Sequence, residues 1–318
     1  MIIVKSPFRI SLFGGSTDYE SFYKKNGSFI IGTTIDKFQY LSMRVRPRIF
    51  SKESTITYSK FQLVDSWDKI QNPLIRETLR YKKVDIPIEF NSFTDIPSRT
   101  GLGGSSTFCI GFLYLINEVL KIKQDRKFLV KDAIFIERNI LNEPGGIQDQ
   151  IWPAYPGLNS IEIEKSGNFH VKPIPVTEAF LKEFQESMVL IYTNSQRKQD
   201  VIAKSHDNKD KSKLLDISKT AYGLFLKENI KGIGELLYAA WKEKEKISDL
   251  ISTRAIDDMV NDIMGLGAYG IKLLGSGGCG FLLVVCNSEV KKKIEEKYQN
   301  SILDFQFENN GVSRIYPI

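Results

Sequence analysis

The 318-residue sequence contains little histidine and little cysteine, and each shortage excludes a class of site. With only two histidines, His170 and His206, a histidine-based triad or a zinc centre is not expected, and a general base should be a carboxylate. The three cysteines, Cys109, Cys279 and Cys286, have neither metal-binding spacing nor a disulfide framework. We expect them to be small buried or loop residues in a reducing compartment.

Long apolar runs and a strong excess of one charge are absent as well. No stretch of about 18 apolar residues occurs, so no membrane span is expected. The first residues, MIIVKSPFRISLFGG, lack the apolar core and cleavage site of a signal peptide, which predicts a cytoplasmic protein. The net charge of +6 suits an anionic small molecule but falls short of a nucleic-acid-binding surface. We therefore expect neither nucleic acids nor membranes as partners.

Strand-like and helix-like segments are mixed along the chain without regular alternation. The patterns predict strands at residues 2–13, 29–46, 86–94 and 188–193, on both sides of LLGSGGCG, and near the C-terminus. They predict helices from about Ser105, at 127–141, over most of 210–263 and after Glu289. A hairpin with its turn at Ser166–Asn168 precedes a soft boundary before Met188. This order favours an α+β fold over a doubly wound sheet.

A glycine-rich loop, PSRTGLGGSSTFC at residues 97–109, comes directly before a predicted helix. Glycines let the backbone approach a ligand closely, and successive N–H groups can point into one concavity. The positive end of the helix dipole would add to this, so the loop suits a phosphate. The alternative is a plain turn in which Ser105 or Ser106 caps the helix.

Three better-known nucleotide motifs do not explain the loop. The chain contains no Gly-Lys pair for a Walker motif and no HRD or DFG sequence of a protein kinase. Residues 265–270 and 275–280 both fit G-x-G-x-x-G. Neither follows a strand and opens a helix, as a dinucleotide fingerprint must. We interpret them as a helix stop and a tight loop between strands.

Glu137 interrupts an apolar stripe on the predicted helix 127–141. Val130, Ala133, Ile134 and Leu141 share that stripe, and Glu137 lies seven residues after Val130. A carboxylate on an apolar face is costly unless it is paired or bound to a metal. A buried ion pair with a basic residue and a metal site are both compatible with this position.

Two aspartates follow glycine-rich turns. Asp149 lies in EPGGIQDQ, after a helix break and between Gln148 and Gln150, where an N-cap or surface role is the alternative. Asp18 lies in FGGSTDYE, where two glycines, two hydroxyls and a carboxylate suit either sugar hydroxyls or a plain turn.

Taken in order, three segments of the chain resemble motifs of the GHMP kinases, the family of galacto-, homoserine, mevalonate and phosphomevalonate kinases. They are SPFRISLFGGSTDYE, PSRTGLGGSST and LLGSGGCG. The second departs from the usual GLGSSAA, because Gly104 replaces the first serine and Ser106-Thr107 replace the alanines. The resemblance implies a two-domain α+β fold. Residues 1–184 would form an ATP-binding domain with a fold shared by RNA-binding ribosomal domains, and residues 185–318 a ferredoxin-like domain.

Within the family, PFRISLFGGSTDY and PGGIQDQ most resemble the D-glycero-D-manno-heptose 7-phosphate kinases. The resemblance implies an ATP- and Mg²⁺-dependent carbohydrate kinase. It would phosphorylate the anomeric hydroxyl of this small-molecule sugar phosphate and yield the 1,7-bisphosphate for nucleotide-activated heptose. A GHMP kinase of another sugar, such as fucose or galactose, is one alternative, and a non-catalytic nucleic-acid-binding protein on the N-terminal fold is another. The chain would be a monomer or a homodimer.

The resemblance also implies residue roles. Asp149 would accept the proton of the attacking hydroxyl, and Arg9 would neutralise charge on the transferring phosphoryl group. Ser105 and Glu137 would hold Mg²⁺. The residues that wrap the ATP phosphates would be Gly101, Leu102, Gly103, Gly104, Ser105, Ser106 and Thr107. The substrate-binding residues would be Gly15, Ser16, Thr17, Asp18, Gly146, Gln148, Arg197, Gly277 and Gly278.

A substrate phosphate requires a cation in the site. The candidates are Arg44, Arg46 and Arg48 on one strand face, Arg197 and Lys198 after the strand MVLIYT, and Arg99 and Lys272 near glycine loops. We interpret the strand arginines as a solvated basic face and favour Arg197, because it follows a strand end in the second domain.

Overall fold

The computed structural model describes residues 1–49, 52–97, 100–194, 202 and 209–315. The strands are β1 (Ile2–Phe13), β2 (Ser28–Val45), β3 (Ser54–Thr57), β4 (Phe61–Val64), β5 (Ile88–Thr94), β6 (Asn159–Ile163), β7 (Phe169–Pro173), β8 (Met188–Tyr192), β9 (Gly270–Leu273), β10 (Phe281–Val285), β11 (Ile302–Leu303) and β12 (Ser313–Ile315).

The α-helices are α1 (Glu20–Asn26), α2 (Pro73–Tyr81), α3 (Gly104–Val119), α4 (Arg126–Ile134), α5 (Gln148–Ile151), α6 (Glu178–Glu186), α7 (Ser212–Leu226), α8 (Ile230–Glu245), α9 (Arg254–Gly265) and α10 (Ser288–Tyr298). Short 3₁₀ turns lie at Trp67–Lys69 and Gln299–Ser301, and a π-helical turn at Phe135–Ile140 continues α4.

The larger sheet is organised around β2. Among the described residues, its main strand order is β12-β1-β2-β5-β3-β4. In addition, β6 pairs with the first residues of β2, and β7 pairs with β6. β2 is long enough to pair with β1 along most of its length, with β6 near its start and with β5 near its end. The apolar side chains of α3 and α4 cover one face of this sheet, so the N-terminus of α3 is held firmly beside β1.

The smaller sheet has the order β11-β8-β10-β9, with antiparallel pairing throughout. Its residues share one apolar core with Phe8, Ile10 and Leu12 of β1 and with helices α7 to α10. This common core fixes the glycine loop between β9 and β10 against the loop before α3. The last strand, β12, returns to pair with β1.

The expected α+β mixture is confirmed, and the predicted strands and hairpin are present. The predicted helix 127–141 is different, because regular α-helix ends at Ile134 and a π-helical turn carries Glu137. The prediction missed α1, α2, α6, β3 and β4, which are short or weakly patterned. Within the described part of the chain, no helix is long and apolar enough to cross a membrane.

Candidate functional site

Most of the sequence-predicted residues meet around one large cavity of about 1040 Å³ between the two sheets. Its wall includes Arg9, Asp18, Glu137 and Asp149, together with the start of α3. A smaller cavity of about 330 Å³ beside β8 and β11 contains none of the predicted residues in its wall. We therefore describe the larger cavity as the candidate active site.

The glycine-rich loop before α3, residues 100–103, forms one wall, and its glycines are required by close packing. Gly101 and Gly103 both have φ of +81°, which favours glycine. A Cβ on Gly101 would lie 2.5 Å from the carbonyl oxygen of Leu274, and one on Gly103 would lie 3.1 Å from Nε of Arg9. Glycine is therefore needed at both positions, because Gly101 packs against the loop between β9 and β10 and Gly103 packs against Arg9.

The N–H groups at the start of α3 face the cavity. A helix leaves its first N–H groups without intrahelical acceptors, which here are those of Gly104, Ser105 and Ser106. Thr107, the last residue expected to wrap the phosphates, already donates its N–H to the carbonyl of Gly103 at 2.9 Å. Leu102 is also not in the cavity wall, since its side chain lies fully in the core.

Glu137 is buried, with 1% of its surface exposed, at the N-terminus of α3. Its Oε1 accepts a hydrogen bond of 3.0 Å from Oγ of Ser105, and its Oε2 accepts one of 2.7 Å from Oγ of Ser106. Nε2 of Gln150 donates to Oε2 at 2.5 Å. The buried ion pair considered above is thus not formed by any described residue, since hydroxyl and amide groups hold the carboxylate.

This oxygen set fits Mg²⁺ bound together with phosphates. No group of three or more His, Cys, Asp or Glu side chains in the described ranges could hold a metal by itself. Mg²⁺ commonly binds one or two carboxylates and completes its shell with water and substrate phosphates. Glu137 and Ser105, adjacent to the helix N-terminus, supply a carboxylate and a hydroxyl of that kind.

Arg9 and Asp149 form a bidentate ion pair on the opposite side of the loop. Nε and Nη2 of Arg9 donate to Oδ1 and Oδ2 of Asp149, each at 2.9 Å, and Nη1 donates to the carbonyl of Gly101 at 2.7 Å. The Arg9 side chain is 5% exposed, whereas that of Asp149 is 29% exposed. The pair therefore presents the carboxylate to the cavity from a fixed, buried guanidinium.

Asp18 and Gln148 form the neighbouring polar corner. Oδ1 of Asp18 accepts from the N–H of Ser16 and from Nε2 of Gln148, each at 3.1 Å, and Oδ2 accepts from the N–H of Gln148 at 3.1 Å. Burial raises the pKa of Asp18, and the charge of Asp149 raises it further, while these donors oppose the rise. Ser16 has φ of +77°, so the turn that aims Asp18 is strained.

Gly146 makes that corner possible. A Cβ on Gly146 would lie 1.8 Å from Oδ2 of Asp18, so any side chain at this position would displace that carboxylate. Arg138 fixes the turn by donating to the carbonyls of Gly146 and Glu143. Gly15 also lies in the cavity wall. Thr17 does not, because its hydroxyl is buried against the carbonyl of Gly14 and Oγ of Ser28.

The second glycine loop faces the cavity two residues earlier than expected. Gly275 and Ser276 lie in the wall. Gly278 donates its N–H to the carbonyl of Ile251 at 2.7 Å, and a Cβ on Gly277 would lie 2.9 Å from the backbone of that same residue. Gly277 and Gly278 therefore connect the loop to the segment before α9, behind the wall.

The cations proposed for a substrate phosphate are found in different places. Lys272 lies in the cavity wall and is 6% exposed. The strand arginines lie elsewhere and use their guanidinium groups on surface partners, such as Arg44 on Glu89 and Arg48 on Asp85. The favoured Arg197, with Arg99 and Lys198, lies outside the described residues.

Two residues of the site were missed, Lys244 and Gln150. The alternating charges of KEKEK, residues 242–246, predict a solvated helix face, yet Lys244 is 5% exposed and lies in the cavity wall. It follows Leu237 by seven residues, on the same stripe as Trp241, so the stripe argument that found Glu137 would have found it. Gln150 follows Asp149 directly in the sequence, and nothing in that position indicates that its side chain donates to Glu137.

Two family models match the chain and together span just over half of it. Residues 71–157 match the GHMP kinases N terminal domain, and residues 221–301 match the GHMP kinases C terminal domain. The first match contains the glycine-rich loop before α3, Glu137 and Asp149. The loop between β9 and β10 lies within the second.

Full-length relatives and solved structures agree with these matches. The chain is 26% identical to D-glycero-alpha-D-manno-heptose 7-phosphate kinase of Campylobacter jejuni over 98% of both chains. It is 25% identical to galactokinase of Pyrococcus furiosus, over 92% of this chain and 91% of that one. A crystal structure of a D-glycero-D-manno-heptose 1-phosphate kinase from Bacteroides thetaiotaomicron superposes with a TM-score of 0.83 at 22% identity over 100% of both chains, which supports the fold alone. The chain belongs to the GHMP kinase family, and it is a phosphotransferase with an alcohol group as acceptor.

Proposed function

We propose that the protein is an ATP- and Mg²⁺-dependent kinase of D-glycero-D-manno-heptose 7-phosphate. It would phosphorylate the anomeric hydroxyl and release the 1,7-bisphosphate and ADP, a step toward nucleotide-activated heptose in the cytoplasm. The observation that carries the proposal is the convergence of three groups in one cavity. These are the N-terminus of α3, the buried carboxylate Glu137 and the arginine-paired carboxylate Asp149.

The choice of acceptor is supported by the relative from Campylobacter jejuni, whose name specifies heptose 7-phosphate and which aligns along nearly the whole chain. We also propose the division of labour expected from the sequence. Residues 1–184 would form the ATP-binding domain, and residues 185–318 would form the ferredoxin-like domain that closes the site. The return of β12 to the first sheet makes the last residues an exception to that division.

The nucleotide phosphates would lie against the N–H groups of Gly104, Ser105 and Ser106. Negative charge is favoured there by the helix dipole and by unpaired donors. Glu137 and Ser105 would hold Mg²⁺, which when bound neutralises charge on the phosphate oxygens. Gln150 and Ser106 both donate hydrogen bonds to Oε2 of Glu137, which fixes the orientation of this carboxylate at the N-terminus of α3.

Asp149 would act as the base. The acceptor hydroxyl oxygen forms a bond to the γ-phosphorus, the bond from that phosphorus to the bridging oxygen breaks, and ADP departs with the bond's electrons. The hydroxyl proton passes to Asp149. Each Asp149 oxygen accepts one hydrogen bond from Arg9 and keeps a lone pair for the hydroxyl. A late proton transfer needs no unusual basicity.

Arg9 would serve both partners of the transfer. Three of its five N–H groups donate to Asp149 and Gly101, and the remaining two, on Nη1 and Nη2, can face the transferring phosphoryl group. A buried cation fixed before the reaction stabilises developing charge without reorganisation. Asp18 and Gln148 would bind acceptor hydroxyls. Among the described residues, Oδ2 of Asp18 accepts one hydrogen bond, from the N–H of Gln148, and keeps a lone pair for a hydroxyl.

Another sugar is the competing proposal, since galactokinase of Pyrococcus furiosus is almost as similar over a comparable length. A coupled assay of ADP release with ATP and Mg²⁺ separates the two. The acceptor panel contains heptose 7-phosphate, sedoheptulose 7-phosphate, mannose 6-phosphate, fucose, galactose and mevalonate. We expect release with heptose 7-phosphate at a kcat/KM at least about a hundredfold above the others, in the range that a few charge-assisted contacts provide.

Preference for an unphosphorylated sugar would overturn the heptose assignment and leave the phosphotransfer mechanism in place. Absence of release with the whole panel would overturn the acceptor class. Product identity is checked by phosphorus NMR, which distinguishes an anomeric phosphate from a phosphate at another hydroxyl.

A further inference from the structure

Lys244 is a buried cation that the proposed mechanism does not use. It lies near the end of α8, on the apolar stripe formed by Leu237, Ala240 and Trp241, and it is 5% exposed. Its side chain reaches the wall of the large cavity. The neighbouring Lys242 on the same helix has a side chain that is 47% exposed and pairs with Glu245.

The surroundings of Lys244 leave its charge poorly compensated. Its Nζ donates to the carbonyl of Gly275, which satisfies one of the three N–H groups of an ammonium. Among the described residues it forms no ion pair. The charge of Arg9 disfavours its protonated form, and the charges of Asp18 and Asp149 favour it. Burying an ammonium without an anionic partner is costly, so such a group is retained where a ligand supplies the anion.

Lys272 provides a contrast within the same cavity. Its Nζ donates to the carbonyls of Ser11 at 3.0 Å and Leu12 at 2.6 Å, which joins β9 to β1. Lys272 therefore has a structural use for its donors. Within the described ranges Lys244 donates to one carbonyl, which leaves two of its N–H groups for a ligand at the cavity wall.

We infer that Lys244 is a phosphate-binding residue of this cavity, whose ammonium donates to a phosphate oxygen of a substrate. The phosphate belongs either to the acceptor or to the transferring end of the nucleotide, and both present the same oxygen chemistry. The inference deepens the proposed function, since the phosphate monoester of a heptose 7-phosphate is one of these two sources. Lysine binds phosphate as a compact point charge with rotatable donors, which suits a group reached at the tip of a helix.

The test uses Lys244→Met, which keeps a similar aliphatic shape and removes the charge, with Lys242→Met as the matched control. Isothermal titration measures binding of inorganic phosphate, of heptose 7-phosphate without nucleotide, and of Mg²⁺ with the non-hydrolysable ATP analogue AMP-PNP. We expect Lys244→Met to lose about tenfold or more in affinity for at least one of these, as for loss of a charge-assisted hydrogen bond. Lys242→Met should match the wild type.

The pattern of loss identifies the source. Weaker binding of heptose 7-phosphate alone assigns Lys244 to the acceptor phosphate, and weaker binding of AMP-PNP alone assigns it to the transferring phosphoryl group. Unchanged affinity for all three probes overturns the inference, as does a folded wild type that binds none of them. If Lys244→Met does not fold, Lys244→Gln is titrated in its place, and melting temperatures confirm that the compared variants are folded.

The pH dependence provides a second readout. Burial and, to a smaller extent, the charge of Arg9 lower the pKa of Lys244 to about 8, against the opposing charges of Asp18 and Asp149. The charged groups around it are Arg9 on β1, Asp18 after β1, Asp149 on α5 and Lys272 on β9. Only the protonated amine binds phosphate strongly. Wild-type affinity should therefore fall as the pH rises above about 8, by up to about tenfold per pH unit, and Lys244→Met should lack this decline.

The inference and the proposed function can fail separately. If heptose 7-phosphate is not turned over but phosphate binding still depends on Lys244, the acceptor assignment falls and the inference stands. If heptose 7-phosphate is turned over and Lys244→Met binds every probe as the wild type does, the inference falls and the proposed function stands.

Discussion

At the scale of single residues, the site is made of charges that are buried only with specific partners. Arg9 is held by both oxygens of Asp149, and Glu137 by two hydroxyls and an amide. Each partner fixes a direction as well as satisfying a charge, because hydrogen bonds at these distances are directional. The same physics gives Asp149 an exposed edge, through which it can reach a substrate.

Asp149→Asn tests the assignment of the base. The amide cannot accept a proton, so kcat should fall by about 10²- to 10⁴-fold, the usual contribution of a positioned general base. Affinity for AMP-PNP with Mg²⁺ should change little, since the glycine-rich loop before α3 is untouched. Steady-state assays and isothermal titration measure the two quantities.

Asp65→Asn is the control, because the Asp65 side chain is 54% exposed and forms an ion pair with the surface residue Lys69. Near-normal turnover by Asp149→Asn would show that another group takes the proton. A melting temperature for each variant separates loss of chemistry from loss of the ion pair with Arg9.

At the scale of elements, the loops rather than the helices decide the shape of the site. The loop before α3 and the loop between β9 and β10 touch through glycines, and a Cβ on Gly275 would lie 2.4 Å from Cα of Gly101. The turn before α5 packs against Asp18 through Gly146. Close approach without a side chain is thus required at two contacts, each between distant parts of the chain.

Gly146→Ala tests the closer of these contacts. The new methyl group must displace the Asp18 carboxylate, so we expect the acceptor KM to rise about tenfold or more, and the free energy of unfolding to fall by about 1–3 kcal/mol. Enzyme kinetics and urea unfolding measure these effects.

Gly223→Ala is the matched change, because it lies inside α7 with nothing within 4 Å of an added Cβ. That variant should be as stable as the wild type or up to about 1 kcal/mol more stable, since alanine favours a helix. Equal behaviour of the two variants would contradict the contact between Gly146 and Asp18.

At the scale of the whole molecule, the cavity exists because two sheets share one apolar core and are also tied by polar contacts. Lys272 of β9 donates to two carbonyls of β1, and the N–H of Phe281 donates to the carbonyl of Thr100 at 3.2 Å. Burial lowers the pKa of Lys272 well below its usual value, and Lys244 and Arg9 lower it further. This contact therefore connects the stability of the whole fold to the protonation of one amine.

Lys272→Met should destabilise the protein by about 1–3 kcal/mol at alkaline pH, because two buried carbonyls lose their donor. A lysine whose pKa is lowered on folding binds its proton more tightly in the unfolded chain. The contribution of Lys272 to the free energy of unfolding of the wild type therefore rises with pH, up to about 10.5, which is the pKa of a lysine in the unfolded chain.

The difference between the wild type and Lys272→Met should consequently widen from pH 7 to pH 9.5, as measured by urea unfolding. Lys291→Met is the comparison, because Lys291 also donates to two carbonyls but is only partly buried, and it should cost less. A difference that narrows with rising pH would contradict the buried position of the Lys272 amine.

Much of this organisation was predictable from local patterns. The alternation in residues 2–13 predicted β1, and the glycines of GLGGSS predicted a close backbone approach. The apolar stripe that includes Glu137 predicted a buried carboxylate, and the structure buries it. The missed strands β3 and β4 have four residues each, too few for a two-residue alternation to stand out.

The sequence by itself determined which residues could bind phosphate or accept a proton, because side-chain chemistry and backbone freedom belong to each residue locally. Only the tertiary structure decided how these residues are combined. Arg9 and Asp149 pair across 140 positions, and Asp18 and Gln148 across 130. No local pattern around one residue of such a pair specifies the other residue. The members of each pair are brought together by the packing of the whole fold. The same packing turns Lys244 from one charge in KEKEK into a buried cation at the cavity.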